Sequence, residues 1–213
     1  METLFKGAAA GLAYGLLLGP MFFAGLRVTL ERGLRHGLAL IGGAFVSDAA
    51  LALGGWWGTG QLASVVHSET FQSVFGVASG LLLFGFGLSA VIPRKANAEA
   101  LENAEAEVIL ARRRVSFMQG LTINLINPSN WFFWLGMATA ASAEVMSSGK
   151  PGEPGYFMLA ALCMLMGMDL VKLFIAHRIG KTMTPGWTRN ITRLAGLVLM
   201  MVGLSVIIKI WRA

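Results

Sequence analysis

Six long apolar stretches constrain this chain more than any other feature. They lie near residues 4–26, 37–58, 71–92, 116–141, 155–177 and 191–211. A helix needs roughly 20 apolar residues to cross a bilayer core, so each stretch is long enough to span with ordinary tilt. Charged residues make up only 13% of the chain and mean hydropathy is +0.66. A soluble domain carries about 25% charged residues. The expectation is an all-α membrane protein built as one integral domain around a lipid bilayer.

The net charge of +6 does not point to nucleic acid. The cations lie between the apolar runs, where they set topology and touch lipid headgroups, and no basic-aromatic patch accompanies them. Twelve of the seventeen Lys and Arg fall on one side of the six spans. These are Arg27, Arg32 and Arg35; Arg94, Lys95, Arg112, Arg113 and Arg114; and Arg178, Lys181, Arg189 and Arg193. Only Lys6, Lys150, Lys209 and Arg212 fall on the other side, with Lys172 inside a span. The positive-inside rule places the first set in the cytoplasm and both termini on the outer, periplasmic side. The first apolar stretch is longer than a signal-peptide core and barely basic before it, so it is expected to stay as a first membrane helix.

The chain also contains an internal repeat. GLLLFGFGLSAVI at 80–92 matches GLVLMMVGLSVII at 196–208 in seven of thirteen positions. LLLGP at 16–20 corresponds to NLINP at 124–128, each with a proline inside a span, and the next helix of each half holds one acid, Asp48 or Asp169. Three helices per half is an odd number, so the halves must run in opposite senses. The reading is six transmembrane helices as two inverted three-helix repeats with broken helices 1 and 4. The first repeat covers 1–92, a charged cytoplasmic linker 93–115, and the second repeat 116–213. The linker is rich in helix formers and is expected to form a short surface helix. Inverted repeats with discontinuous helices are a common transporter plan, with substrate near the midplane.

The breaks carry the candidate chemistry. Pro128 has no N–H and crowds the carbonyl of Asn124, which then needs a partner where water is scarce. Asn124, Asn127 and Asn130 follow at i, i+3, i+6, so neighbours in the set share a helix face. This face is expected to meet the bundle interior or a cavity, as substrate or ion contact or as structural glue between helices. Pro20 likewise frees the carbonyl of Leu16. Gly7, Gly11, Gly15 and Gly19 form a stripe that lets another backbone approach and leaves room for a homodimer. Gly15 and Gly19 are equally open to a cavity-lining role, and a helix restarting at Pro20 would attract a carboxylate.

A charged residue at the bilayer centre costs at least ~2.5–3.5 kcal/mol, and such residues usually mark ion pathways, proton relays or substrate contacts. Asp48 and Asp169 are the two acids placed inside the membrane. Lys172 stands three residues after Asp169, so an internal salt bridge competes with a coupling role there. Asp48 has no cation near it on its own helix. Arg27, at a helix end, is expected to snorkel. Trp56, Trp57, Trp187 and Trp211 fit an interfacial belt, while Trp131 and Trp134 either line a cavity or face lipid. Cys163 is the single cysteine, and His36, His67 and His177 form no ligand cluster, so no metal or other cofactor is expected. HExxH, GxSxG and a phosphate loop are all absent, and the chain is not read as an enzyme.

Two blocks resemble the LysE/RhtB family of amino-acid exporters. The first is GLLLGPMFFAGLRVTLERGLRHGLALIGGAFVSD, from Gly15 to Asp48, and the second FMQGLTINLINPSNWFF, 117–133. The resemblance covers essentially the whole chain. It implies an inner-membrane secondary transporter exporting amino acids or related metabolites, driven by the proton gradient. On the matching positions it implies roles for Gly19, Pro20, Asp48, Asn124, Asn127 and Pro128. Asp169 and Lys172 enter from the repeat, not from the resemblance. Leu18, Ser47 and Ser129 depart from the family's usual proline, glycine and lysine. The candidate substrate set is Gly15, Gly19, Pro20, Asn124, Asn127 and Pro128, and the candidate coupling set Asp48, Asp169 and Lys172. An exporter of metal or another inorganic ion, and a non-transporting membrane scaffold, are the alternatives. The scaffold would have no polar pocket at NLINPSN.

Overall fold

The computed structural model of the chain describes residues 1–57, 68–92, 106–148 and 153–211. Among these residues the regular structure is helical. Helix α1 covers Glu2–Gly15, α2 Pro20–Arg32, α3 Leu34–Trp57 and α4 Glu69–Val91. Helix α5 covers Ala106–Ile126, α6 Pro128–Ser148, α7 Glu153–Thr182 and α8 Pro185–Trp211. Four helices are long and apolar enough to cross a membrane: Leu34–Trp56, Glu69–Val91, Pro154–Thr182 and Gly186–Trp211. The pair α1 and α2 is bent by 66° at its break and brings the number to five if it is counted as one broken span. The stretch expected at 116–141 is shared between α5 and α6. Its first helix begins at Ala106, so the end of the expected linker, 106–115, is continuous with it rather than a separate surface helix. Residues 93–105 of that linker, and His67, lie outside the described residues.

Both expected prolines start helices. Pro20 is the first residue of α2, after Gly19 in an extended conformation, and Pro128 the first of α6. Proline suits this position because the N–H it lacks would have no partner there. Gly33, between α2 and α3, has φ of 85°, a left-handed conformation that a side chain would resist.

Small residues decide which helices meet. A Cβ on Gly7 would strike the Phe157 carbonyl, and one on Gly11 the Ala161 carbonyl, so α1 and α7 run side by side in the same direction. The same contact recurs between α3 and α5, where Gly120 meets the Leu40 carbonyl and Gly43 that of Phe117. Gly120 at Leu40 and Asn124 at Ala44 advance together, so these two helices also run parallel. Helices α4 and α8 run antiparallel, with Gly80 against Gly203 and Gly87 against Gly196. Backbone approach of this kind is the usual basis of helix association in lipid, where apolar burial alone gives no preference.

Two apolar clusters fill the bundle toward its two ends. One gathers Leu51 of α3, Trp134 and Ala138 of α6, and Phe157, Ala161 and Leu165 of α7. The other, nearer the arginine-rich ends, gathers Ala24 and Val28 of α2, Leu40 and Ile41 of α3, Leu83 of α4, Leu173 of α7 and Leu199 of α8.

Candidate functional site

The first polar cluster forms where α3 meets the α5–α6 break. Asp48 is 5% exposed and Asn130 1% exposed. Asp48 Oδ1 accepts from Asn130 Nδ2 and from Trp134 Nε1, each at 2.8 Å. Asn124 Nδ2 donates to the Ala44 carbonyl at 3.0 Å and to Ser47 Oγ at 2.7 Å. Ser47, one of the departures noted above, thus serves as the acceptor that ties Asn124 to α3. All four polar side chains of this cluster are buried. Neutral donors, with no cation, hold the carboxylate.

The break at Pro128 resolves itself differently from the expectation. The Asn124 carbonyl is not free: it accepts from the Asn127 backbone N–H at 3.3 Å and from Asn130 Nδ2 at 3.5 Å. The next carbonyl, Leu125, accepts from Trp131 Nε1 at 2.6 Å. Asn127 does not share the face of the other two asparagines. The helix stops there, and Asn127 Oδ1 caps α6, accepting from the Ser129 backbone N–H at 3.2 Å and from Ser129 Oγ at 2.6 Å. Asn127 is therefore a helix cap, and Asn124 and Asn130 form the face toward α3.

The second acid takes another form. Asp169 Oδ1 and Lys172 Nζ of α7 are 2.7 Å apart, each side chain 17% exposed. The ammonium also lies 5.9 Å from the centre of the Phe22 ring. A cavity opens beside the pair, lined by Met21, Phe22 and Leu26 of α2, Ile41 of α3, and Asp169 and Lys172. Asn124 and Asn130 of NLINPSN are buried in hydrogen bonds to α3, Asn127 and Ser129 are more open, and the cavity lies at the second acid.

Tyr14 of α1 packs against α6 beside the first cluster. Its ring stacks on Phe133 of α6, with centroids 3.8 Å apart and planes within 9°. Its phenol reaches Ser129 and lies within electrostatic range of both Asp48 and Asp169. The two carboxylates are also within range of each other. Neither Tyr14 nor Phe133 was singled out by sequence reasoning. A tyrosine inside the first span, one of only two in the chain, was the available signal. Trp134, left open above, is 1% exposed and a ligand of Asp48 rather than a lipid-facing ring.

The remaining candidates fall apart. Gly15 packs on Met168 and Leu165 of α7, while Gly19 has open space around its α-carbon. Leu16, Leu17 and Leu18 before it are all exposed. Arg27 does not snorkel. It is 3% exposed, its Nη1 donates to the Phe86 carbonyl at 2.5 Å and to Ser89 Oγ at 3.0 Å, and its Nε pairs with Glu31 at 3.1 Å. It ties α2 to α4. Among the described residues no three His, Cys, Asp or Glu side chains gather as a metal site.

Compared with known protein families, the chain matches the model for the LysE type translocator over residues 12–210. The chain belongs to the LysE type translocator family. The match spans α1 to α8, so both acid clusters and both helix breaks lie inside it. A LysE type translocator is a membrane protein that exports small molecules, and the family is one of transporters rather than enzymes. No curated protein and no solved structure matches the chain.

Proposed function

We propose that this LysE type translocator is a secondary active transporter that exports amino acids or related small metabolites across the bacterial cytoplasmic membrane, coupled to the proton gradient. The observation that carries the reading is Asp48: a carboxylate buried beside a helix break and held by neutral donors alone. Such a group can take up or release a proton without stranding a buried partner charge.

The architecture proposed is six spans in two inverted halves, 1–92 and 116–213, joined through 93–115. Exchanging the halves turns the α1–α7 pairing into the α5–α3 pairing, and both are parallel and glycine-mediated. The same exchange turns the antiparallel α4–α8 pair into itself. Gly11 against Ala161 and Gly120 against Leu40 are then equivalent contacts. Alternating access follows from rocking one half against the other around the acids. Both termini lie on the outer side in this arrangement, by the arginine distribution.

The test is efflux from cells preloaded with dipeptides, which release amino acids inside. Wild type should speed release of particular amino acids, and Asp48→Asn should abolish that gain while reaching the membrane at the same level. Normal export by Asp48→Asn, with an unchanged pH dependence, would refute the proton role.

A further inference from the structure

We infer that Asp169 and Lys172 form the docking site for the zwitterionic backbone of the exported amino acid, with Lys172 taking the α-carboxylate and Asp169 the α-ammonium. The inference rests on the proposed function and adds to it the location and polarity of the substrate site.

The pair is incompletely satisfied. Among the described residues Asp169 has Lys172 as its one hydrogen-bonding partner, through Oδ1 at 2.7 Å. Oδ2 and two of the three ammonium protons remain for a ligand, and both residues line the cavity. A structural ion pair of this kind is stable when further hydrogen bonds satisfy its remaining atoms. Here those positions face the cavity lined by Met21, Phe22, Leu26 and Ile41.

The fold itself does not demand the cation. The equivalent acid of the other half, Asp48, is held by Asn130 and Trp134 and has Leu51 where Asp169 has Lys172. A lysine in a span costs free energy to place there, and Lys172, though paired with Asp169, also lines the cavity. An amino acid supplies both charges on neighbouring atoms and would lie head to tail against the Asp169–Lys172 pair. The cavity measures about 20 Å³, room for about one water, so the amino acid is received as the halves rock apart. Helix α2 starts beside the site, and its cap residue Gly19 has no side chain to offer. Its partially positive N-terminus therefore favours the carboxylate end. At the other break, Asn127 already caps α6.

The test compares L-amino acids with their carboxamides, which keep the α-ammonium but lack the α-carboxylate. Proteoliposomes of the wild type, Lys172→Gln and the charge-neutral double variant Asp169→Asn/Lys172→Gln are offered each pair. Loss of one charge-assisted contact corresponds to about a 10- to 100-fold preference of the wild type for the acid over its amide. Lys172→Gln should lose most of that preference, and the double variant should bind neither compound while remaining folded by thermal unfolding in detergent. A preference unchanged in Lys172→Gln, or normal uptake by the double variant, would make the pair a structural ion pair and overturn the inference. No transport of any amino acid by the wild type would remove the proposed function itself, and the inference with it.

Discussion

The two acids of the apolar helices α3 and α7 meet the same physical demand in two ways. Asp48 is held by a carboxamide and an indole, both neutral, inside a sealed cluster. Asp169 is held by an ammonium at the edge of a cavity. Protonating Asp48 leaves its donors neutral and still packed. Protonating Asp169 would leave the half-buried Lys172 ammonium without its counter-charge, which is unfavourable. The difference fits the proposed roles, proton exchange at the first half's acid and ligand charge recognition at the second's. In the proposed inverted arrangement the two halves would then hold two divergent sites.

The comparison is most easily broken at Trp134. Truncating a fully buried tryptophan costs about 3–5 kcal/mol through lost packing and a cavity, and Trp134→Ala also removes a donor from Asp48. Thermal unfolding in detergent should show a large drop for this variant. Phe22→Ala, at the half-buried wall of the Asp169 cavity, should shift unfolding far less. Equal losses would mean that the two sites do not differ in packing.

An intermediate effect tests the equivalence of the halves. Gly11→Ala and Gly120→Ala each drive a Cβ into a facing carbonyl, of Ala161 and Leu40 respectively. Overpacking of this kind costs about 1–3 kcal/mol. The two variants should lose stability to a similar degree, and Gly19→Ala, with nothing near its α-carbon, should lose little. A tolerant Gly120 beside an intolerant Gly11 would argue against paired halves.

Much of this arrangement was legible in the sequence. The proline breaks, the small-residue stripe and the two acids were read directly, because each violates what an apolar span would otherwise contain. The partners of the acids were not. In a span, the face toward lipid and the face toward protein are both apolar, so periodicity does not say which way Trp134 or Tyr14 points. Arg27 was misplaced for a related reason. Counted as a topology signal it belongs at the headgroups, but Glu31 one turn later and the α4 carbonyl of Phe86 give it a buried site. Asn127 was grouped with Asn124 and Asn130 by helical spacing, which fails at the residue where the helix ends.

The smallest expected effect lies at that residue. Asn127→Ala removes the α6 cap, worth about 1 kcal/mol, while Asp48 keeps both donors. Unfolding should shift slightly and the pH dependence of export should not move. A changed pH profile would make Asn127 part of the proton site.

The most direct test of the central claim is substrate-driven proton movement in proteoliposomes, followed with a pH-sensitive dye. An amino-acid gradient should drive proton flux through the wild type. In Asp48→Asn it should drive none, although labelled amino acid still exchanges across the membrane. Proton flux of wild-type size in Asp48→Asn would contradict the account, because the coupling proton would then be exchanged at another group.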